Sequence, residues 1–264
     1  MSRSIPVPVL LLARGASRSL PFILFLAVWE AVAKSGLIDP AFFPPVEAVG
    51  AALLDLGKSP VFYLEIATTL GRSLGGLALG GLIGIPLGAG MAISRGINGF
   101  FGPLVKATYS LPKTALIPLL VLWLGIGSAT NMAAVLFSTL LPFVVYTYHG
   151  VAGVPQVLVW SARAMGVSER RILWKVLLPG SQHAILTGLR IALGFSLVIA
   201  IAAEMIAAHT GIGKLMFIYG ESGSYDYMFA AVTAIVVLAF LADRLVVAAS
   251  AHLLRWADVE DRLE

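Results

Sequence analysis

The chain contains no cysteine, which excludes disulfides, thiolate-held zinc and iron–sulfur clusters. It is also poor in charge. Asp, Glu, Lys and Arg make up 12% of its 264 residues, about half the roughly 25% of ordinary globular domains. No G-x-x-x-x-G-K-[ST] sequence occurs, so no phosphate-cradling loop of that kind binds ATP here. H-E-x-x-H is absent too, and His149, His183, His209 and His252 are scattered one per region, without the i, i+4 pairing of a metal site. No catalytic residue, metal or cofactor is expected on this chain. The net charge of +4 is accounted for by basic loops and calls for no nucleic acid.

What the chain has in abundance is apolar length. Hydrophobic residues make up 59% of it and the mean hydropathy is +0.93, which places it in a bilayer. Ser73 to Ser94 and Thr114 to Ala162 contain no charged residue, and the second stretch has room for two spans of about 20 residues each. The fold expected is all-α and polytopic: a single transmembrane domain with six spans at 20–34, 68–93, 108–126, 130–150, 183–208 and 228–254. Pro112, Lys113 and Pro118 interrupt the third.

Cations in short loops are retained on the cytoplasmic side. With six spans, Arg3, Arg14, Arg18, Arg95, Lys106, a cluster between Pro155 and Pro179, Arg255 and Arg262 share one side, against Lys34, Lys58, Arg72 and Lys214 on the other. Both termini are therefore expected in the cytoplasm. A rival reading takes the first apolar run, ending in Ala31-Val32-Ala33, as a cleaved signal peptide that leaves five spans. Bulky Trp29 and charged Glu30 at that cleavage site favour six.

The segment 36–72 is too polar to span. Val46, Val49, Leu53 and Leu56 set against Glu47 and Asp55 predict a helix along the outer interface, packing on the leaflet or offering a landing surface to an extracytoplasmic partner. Gly76, Gly80, Gly84 and Gly88 recur every four residues, a stripe without side chains that lets another helix approach closely. Broken helices at membrane depth are tolerated only where protein or a water-filled cavity takes up the freed backbone groups, so Pro112, Lys113 and Pro118 point to a translocation pathway. Lys113 there either attracts an anion or snorkels to the interface. Glu204, with apolar neighbours on both sides, is expected to face the bundle interior, as a pathway residue or in a structural ion pair. Arg190, near the other end of that span, snorkels or makes a structural contact.

One amphipathic, cation-rich stretch stands apart. Pro155 to Pro179 carries Arg163, Arg170, Arg171 and Lys175 against a single acid, Glu169. Each such charge costs ~2.5 to 3.5 kcal/mol at the centre of a bilayer, so the stretch belongs on the water side. Leu158, Ala162 and Met165 before Gly166, then Ile172, Leu173, Val176 and Leu177 opposite Arg171 and Lys175, predict two short helices joined at the glycine. Ser168 suits the N-cap of the second, its hydroxyl accepting an amide proton, with Glu169 at the positive end of the dipole. Pro179 is expected to end it.

These residues resemble the membrane subunits of binding-protein-dependent ATP-binding cassette importers, whose cytoplasmic loop carries Glu-Ala-Ala, a glycine three residues on, and Ile-x-Leu-Pro after nine more. Here Gly166 is followed, after nine residues, by Val176-Leu177-Leu178-Pro179, and Trp160-Ser161-Ala162 falls where the family has Glu-Ala-Ala, so only the last alanine matches. FFPPVEAV from Phe42, LPKTALIPLLVLWLGIG from Leu111, LTGLRIALG from Leu186 and AAEMIAAHTGIG from Ala202 resemble the sulfonate, taurine, nitrate and bicarbonate branch.

The resemblance implies a permease subunit in the bacterial inner membrane, forming the path of a small anion that a periplasmic binding protein delivers. It implies that ATP and Mg are bound by two copies of a cytoplasmic ATPase, and that a second copy of this chain completes the path. The coupling residues it points to are Trp160, Ser161, Ala162, Arg163, Gly166, Ser168, Glu169, Arg170, Arg171, Val176, Leu178 and Pro179. A rival function is a self-sufficient carrier or channel whose cationic loop rests on anionic lipid. Such carriers show repeated halves and several intramembrane charges, and the sequence shows neither clearly.

Overall fold

The computed structural model describes residues 7–254, with side chains from Leu20 onward. Arg3, Arg255 and Arg262, three of the charges used to orient the chain, lie outside the described residues, as do the side chains of Arg14 and Arg18. Every described element is helical. Residues up to Pro60 together with Met216–Ala234 form one compact unit, and Val61–Leu215 with the residues from Ile235 onward form the other.

The first unit contains α1 (Val7–Lys34), which carries the apolar run expected at 20–34, and α2 (Val46–Leu56). The interfacial helix forms where its pattern predicts it, with Val49, Ala52 and Leu56 buried and Asp55 exposed. Its N-cap is Pro45, which has no side-chain acceptor. A carboxylate from α1 takes that role: Val46 N–H donates to Glu30 Oε2 at 2.8 Å, an anion at the positive end of the helix dipole. Lys34 joins Glu30 to Glu47, and Trp29 Nε1 donates to Pro44 O at 3.0 Å while its ring stacks on Phe43. Trp29 and Glu30 thus anchor the helix that follows.

The chain continues as α3 (Pro60–Ile93), α4 (Arg95–Tyr109), a 3-10 turn (Lys113–Leu116), α5 (Ile117–Leu124), α6 (Ser128–Ala152), α7 (Gln156–Ala164) and α8 (Glu169–Ile172). A π turn (Leu173–Leu177), α9 (Leu178–Gly180), α10 (Gln182–Ala207), α11 (Ile212–Glu221) and α12 (Tyr225–Leu253) complete it. Among the described residues, α3, α6, α10 and α12 are each long and apolar enough to cross a membrane, and α4 with 113–124 makes a fifth if that bent pair counts as one.

The span expected at 108–126 is not one straight helix. It begins at the end of α4, and α4 meets the segment Lys113–Leu124 at 99°, because Pro112 takes an extended conformation and caps the 3-10 turn, while Pro118 sits in the first turn of α5, where its missing N–H is no loss. Residues 95–107, which lie between the second and third expected spans, are helical. Ser94 starts α4 by accepting a hydrogen bond from Ile97 N–H.

The glycine stripe decides how α3 meets α6. A Cβ on Gly76 would lie 2.6 Å from Val135 Cβ, on Gly80 2.2 Å from Thr139 Oγ1, on Gly84 2.7 Å from Phe143 Cβ and on Gly88 2.5 Å from Val144 O. Such an approach gives dispersion contact where hydrophobicity cannot drive association, because lipid is as apolar as leucine. On the other flank α10 lies along α6, with Ile199, Ala200, Ala203 and Ala207 packed against Ala134 and Val135. Ser73 Oγ and Ser196 Oγ hydrogen-bond at 2.8 Å between α3 and α10, and Arg190 binds both carboxylate oxygens of Asp243 on α12 at 2.5 and 2.9 Å.

Overpacking the stripe is expected to cost about 1–3 kcal/mol. Gly80→Val should lower the unfolding midpoint of the detergent-purified chain, whereas Gly71→Ala, where nothing lies within 4 Å, should leave it unchanged or slightly raised.

Candidate functional site

The cationic loop is a rigid two-helix piece. α7 ends with Gly166 N–H donating to Arg163 O at 2.9 Å and Val167 N–H to Ala162 O at 3.0 Å, the paired bonds of a Schellman turn. Gly166 has φ +74°, a left-handed conformation that glycine adopts without steric cost. The turn drops Val167 onto Val159, Ala162 and Ile172, with Val176 and Leu177 closing the cluster. Arg163 then bridges α7 to α8, its Nε and Nη2 donating to the two oxygens of Glu169 at 2.7 and 3.0 Å.

That bond from Arg163 holds the Glu169 carboxyl below its ordinary range. Because the folded value is depressed, the pair's contribution is complete above the ordinary value and is lost as pH falls through the folded one. It is intact at neutral pH.

Several expectations for this loop need correction. Leu158 and Met165, assigned to the inward stripe, are exposed, and Val159 takes that place beside Ala162. Ser168 stands at the N-cap with extended backbone, but its hydroxyl caps no amide. Pro179 does not end the helix where expected. The π turn carries the chain past it, Leu178 N–H reaching back five residues to Leu173 O, and the helix runs on to Gly180 before α10 begins. The wider turn relieves the proline of the i−4 bond it cannot make.

Val157, Trp160, Ser161 and Ala164 recur at i, i+3, i+4, i+7 on the side of α7 away from the cluster, and all are exposed. Trp160 is 63% exposed, Trp174 64% and Met165 75%. Arg170, Arg171 and Lys175 are exposed beside them. The water-side helix is therefore apolar on its outer ridge as well as its inner one, with cations around it.

Glu204 lies at the other end of α10, 0% exposed. Of the two roles open to it, the geometry is that of a buried ion pair. Arg72 Nη1 donates to Glu204 Oε1 at 2.8 Å, and Thr69 Oγ1 and Gly213 N–H donate to Oε2 at 2.8 and 3.0 Å. Arg72 also donates to Thr210 O, Thr210 Oγ1 and Ser128 Oγ, so α3, the start of α6 and the turn after α10 close on one clamp. Ile212 N–H donates to Thr69 Oγ1 and Gly211 N–H to Glu65. Arg72, assigned to the outer-side cations, is thus a buried member of a network. The signal lay in its spacing, since Thr69, Arg72, Ser73, Gly76 and Gly80 share one buried face of α3.

Lys113 does not join Glu204. Its Nζ donates to Tyr109 O at 3.1 Å and lies 5.4 Å from the Tyr109 ring centroid, at the wall of a cavity of about 280 Å³. Gly71-Arg72-Ser73-Leu74-Gly75 spells the G-x-S-x-G of hydrolases in a chain where no catalytic residue is expected. It lies within α3, not on a strand-to-helix turn, and Ser73 is bonded to Ser196. Among the described residues no group of His, Asp and Glu is placed to hold a metal ion.

An all-helical chain with several membrane-crossing helices and one rigid cationic hairpin between two of them has the architecture of a transporter's membrane component. Residues 66–255 match the family described as the binding-protein-dependent transport system inner membrane component, and the chain belongs to that family, as a permease subunit of an ATP-binding cassette importer. It is 35% identical over 221 residues to the taurine transport system permease protein TauC of Escherichia coli K12, covering 82% of this chain and 80% of the relative. It is 32% identical over 218 residues to the putative aliphatic sulfonates transport permease protein SsuC of the same organism, covering 83% of each. Its fold is similar to that of a chain in inward-facing structures of the MetNI methionine ABC transporter, with a TM-score of 0.65 at 19% identity, over 73% of this chain and 96% of that one.

Removing one partner of the clamp leaves the other buried and uncompensated, which costs about 3–5 kcal/mol. Glu204→Leu is expected to lower the unfolding free energy of the purified chain by about that amount, and Arg72→Met with Glu204→Leu to recover most of it. An additive double variant would show that the two charges are not coupled.

Proposed function

We propose that this chain forms the membrane path of an importer for a small sulfonate-type anion, delivered by an extracytoplasmic binding protein and driven by a separate ATPase that docks on α7 and α8. The observation that carries the reading is the exposed apolar ridge of Val157, Trp160 and Ala164 on a hairpin braced by its own core, its Schellman turn and the Arg163–Glu169 pair. An exposed apolar face on a helix with a cationic rim fits an apolar cleft with an acidic rim on a partner. Trp160 stands where the family has glutamate, so the contact at that point is packing in place of a polar bond.

The hairpin continues through the π turn into α10, so closure of the ATPase moves α10 as a rigid element. One hairpin per chain calls for two chains around a two-fold axis, with two ATPase copies. Both termini and the hairpin then lie in the cytoplasm. The anion reading is supported by the taurine and aliphatic sulfonate relatives, and the selecting step lies with the binding protein.

Purification of the tagged chain from its native membrane in mild detergent should recover an ATP-binding cassette subunit at matching stoichiometry. Recovery of the chain alone, still active in liposomes, would replace this reading with that of an independent carrier. Gly166→Val forces a β-branched residue into the left-handed region and is expected to abolish ATP-driven uptake. Trp160→Ala should weaken retention of the ATPase by roughly tenfold or more, as for an aromatic anchor at an interface centre.

A further inference from the structure

Two cavities of the same unit meet at a shared wall. The smaller, about 280 Å³, is lined by Lys113, Ser138, Tyr146 and Phe195 among others. The larger, about 690 Å³, is lined by Asn98, Lys106, Tyr148 and His149 among others. Tyr109 and Val145 line both. Among the described residues, no Asp or Glu lines either. The polar groups at the walls are ammonium, imidazole, phenol, hydroxyl and amide, donor types all, with the Ser138 hydroxyl already donating to Val135 O at 2.7 Å.

We infer that these cavities are a two-stage binding path for a small oxyanion, with Lys113 holding it in the first stage, Lys106 and His149 receiving it in the second, and Tyr109 as the partition. The inference places the anion of the import reading and rests on that reading for the direction of travel. Lys113 is built for the first stage. One of its three N–H donors is taken by Tyr109 O, which fixes the ammonium at the cavity wall and leaves donors for a ligand. Its partners are a carbonyl oxygen and a ring, neither of which carries a counter-charge. Walls of low dielectric around a cavity of one sign of charge raise the local concentration of the opposite ion. The smaller cavity is close to the lower end of ligand-site volumes, which selects for a compact group such as a sulfonate or carboxylate head. The lysines lie on opposite sides of the break between α4 and the 3-10 turn, Lys106 before it and Lys113 after it, so the kink at Pro112 puts a charge on each cavity.

The absence of native cysteine gives a direct test, in which a single introduced thiol reports without background. Val145→Cys, at the shared wall, is placed in the full chain in native membrane vesicles. It is reacted with two methanethiosulfonate reagents, one ending in ethylsulfonate and one in ethyltrimethylammonium, with 2-mercaptoethanol in solution as the reference for their intrinsic rates. The sulfonate reagent is expected to be favoured about tenfold over the reference ratio. Lys113→Met should lower the preference severalfold, Lys113→Arg should keep it, and methanesulfonate should slow the reaction saturably. A ratio at or below the reference, a ratio that Lys113→Met leaves unchanged, or no reaction with either reagent would overturn the inference. Failure to recover an ATPase would instead overturn the import reading and would leave this ratio as it is.

Discussion

The Arg72–Glu204 pair is the constraint on which the arrangement of the spans depends. Either charge alone at membrane depth is costly, and their attraction offsets the desolvation only if the remaining hydrogen-bonding groups are also satisfied. Here they are: Glu204 accepts from Arg72, Thr69 and Gly213, and Arg72 also donates to Thr210 and Ser128. The turn after α10 can close on the carboxylate only because it is glycine there. A Cβ on Gly211 would lie 2.2 Å from Glu204 Cδ, and one on Gly213 2.4 Å from Ile201 O. The glycine stripe brings α3 against α6 but, repeating every four residues, it maps onto itself after a shift of about one turn. A point contact with one charge on each helix removes that degeneracy.

The clamp and the cationic hairpin are the two ends of one element. α10 has 26 residues, about 39 Å at 1.5 Å per residue, with the hairpin before its start and Glu204 in its last turn. The hairpin cannot absorb a push by rearranging, since its turn, its core and its ion pair all fix α7 to α8. The π turn before Pro179 keeps helical continuity where proline would otherwise have broken it, and Ser181 turns the chain into α10.

Much of this was legible in the sequence for physical reasons. A period of four in glycine can only mean close helix contact, and an acid within an apolar span must find a partner. A glycine between two short amphipathic runs marks a turn with positive φ. What could not be read were directions. Arg72 was counted with the outer-side cations because it lies near the start of its expected span, although the small-residue face of α3 passes through it. Leu158 and Met165 were placed inside because periodicity records which residues are apolar, and a helix with a second apolar ridge for a partner has two such faces. α4 lies between two expected spans and is begun by the Ser94 cap, with Gly96, Asn98 and Gly99, poor helix formers, in its first turns.

The cations at membrane depth then fall into two kinds by what holds them. Arg72 is bound to Glu204 and Arg190 to Asp243 through fixed forks of N–H donors, a geometry that guanidinium suits and that leaves little charge uncompensated. Lys113 is an ammonium held by a carbonyl oxygen and an aromatic face, neither of which neutralises it. Arginine paired with a carboxylate is used to fix helices to one another, and lysine kept from any carboxylate presents a compact charge to a cavity. In a chain with so few charges, that division separates the paired arginines, which join helix to helix, from a lysine held at a cavity wall.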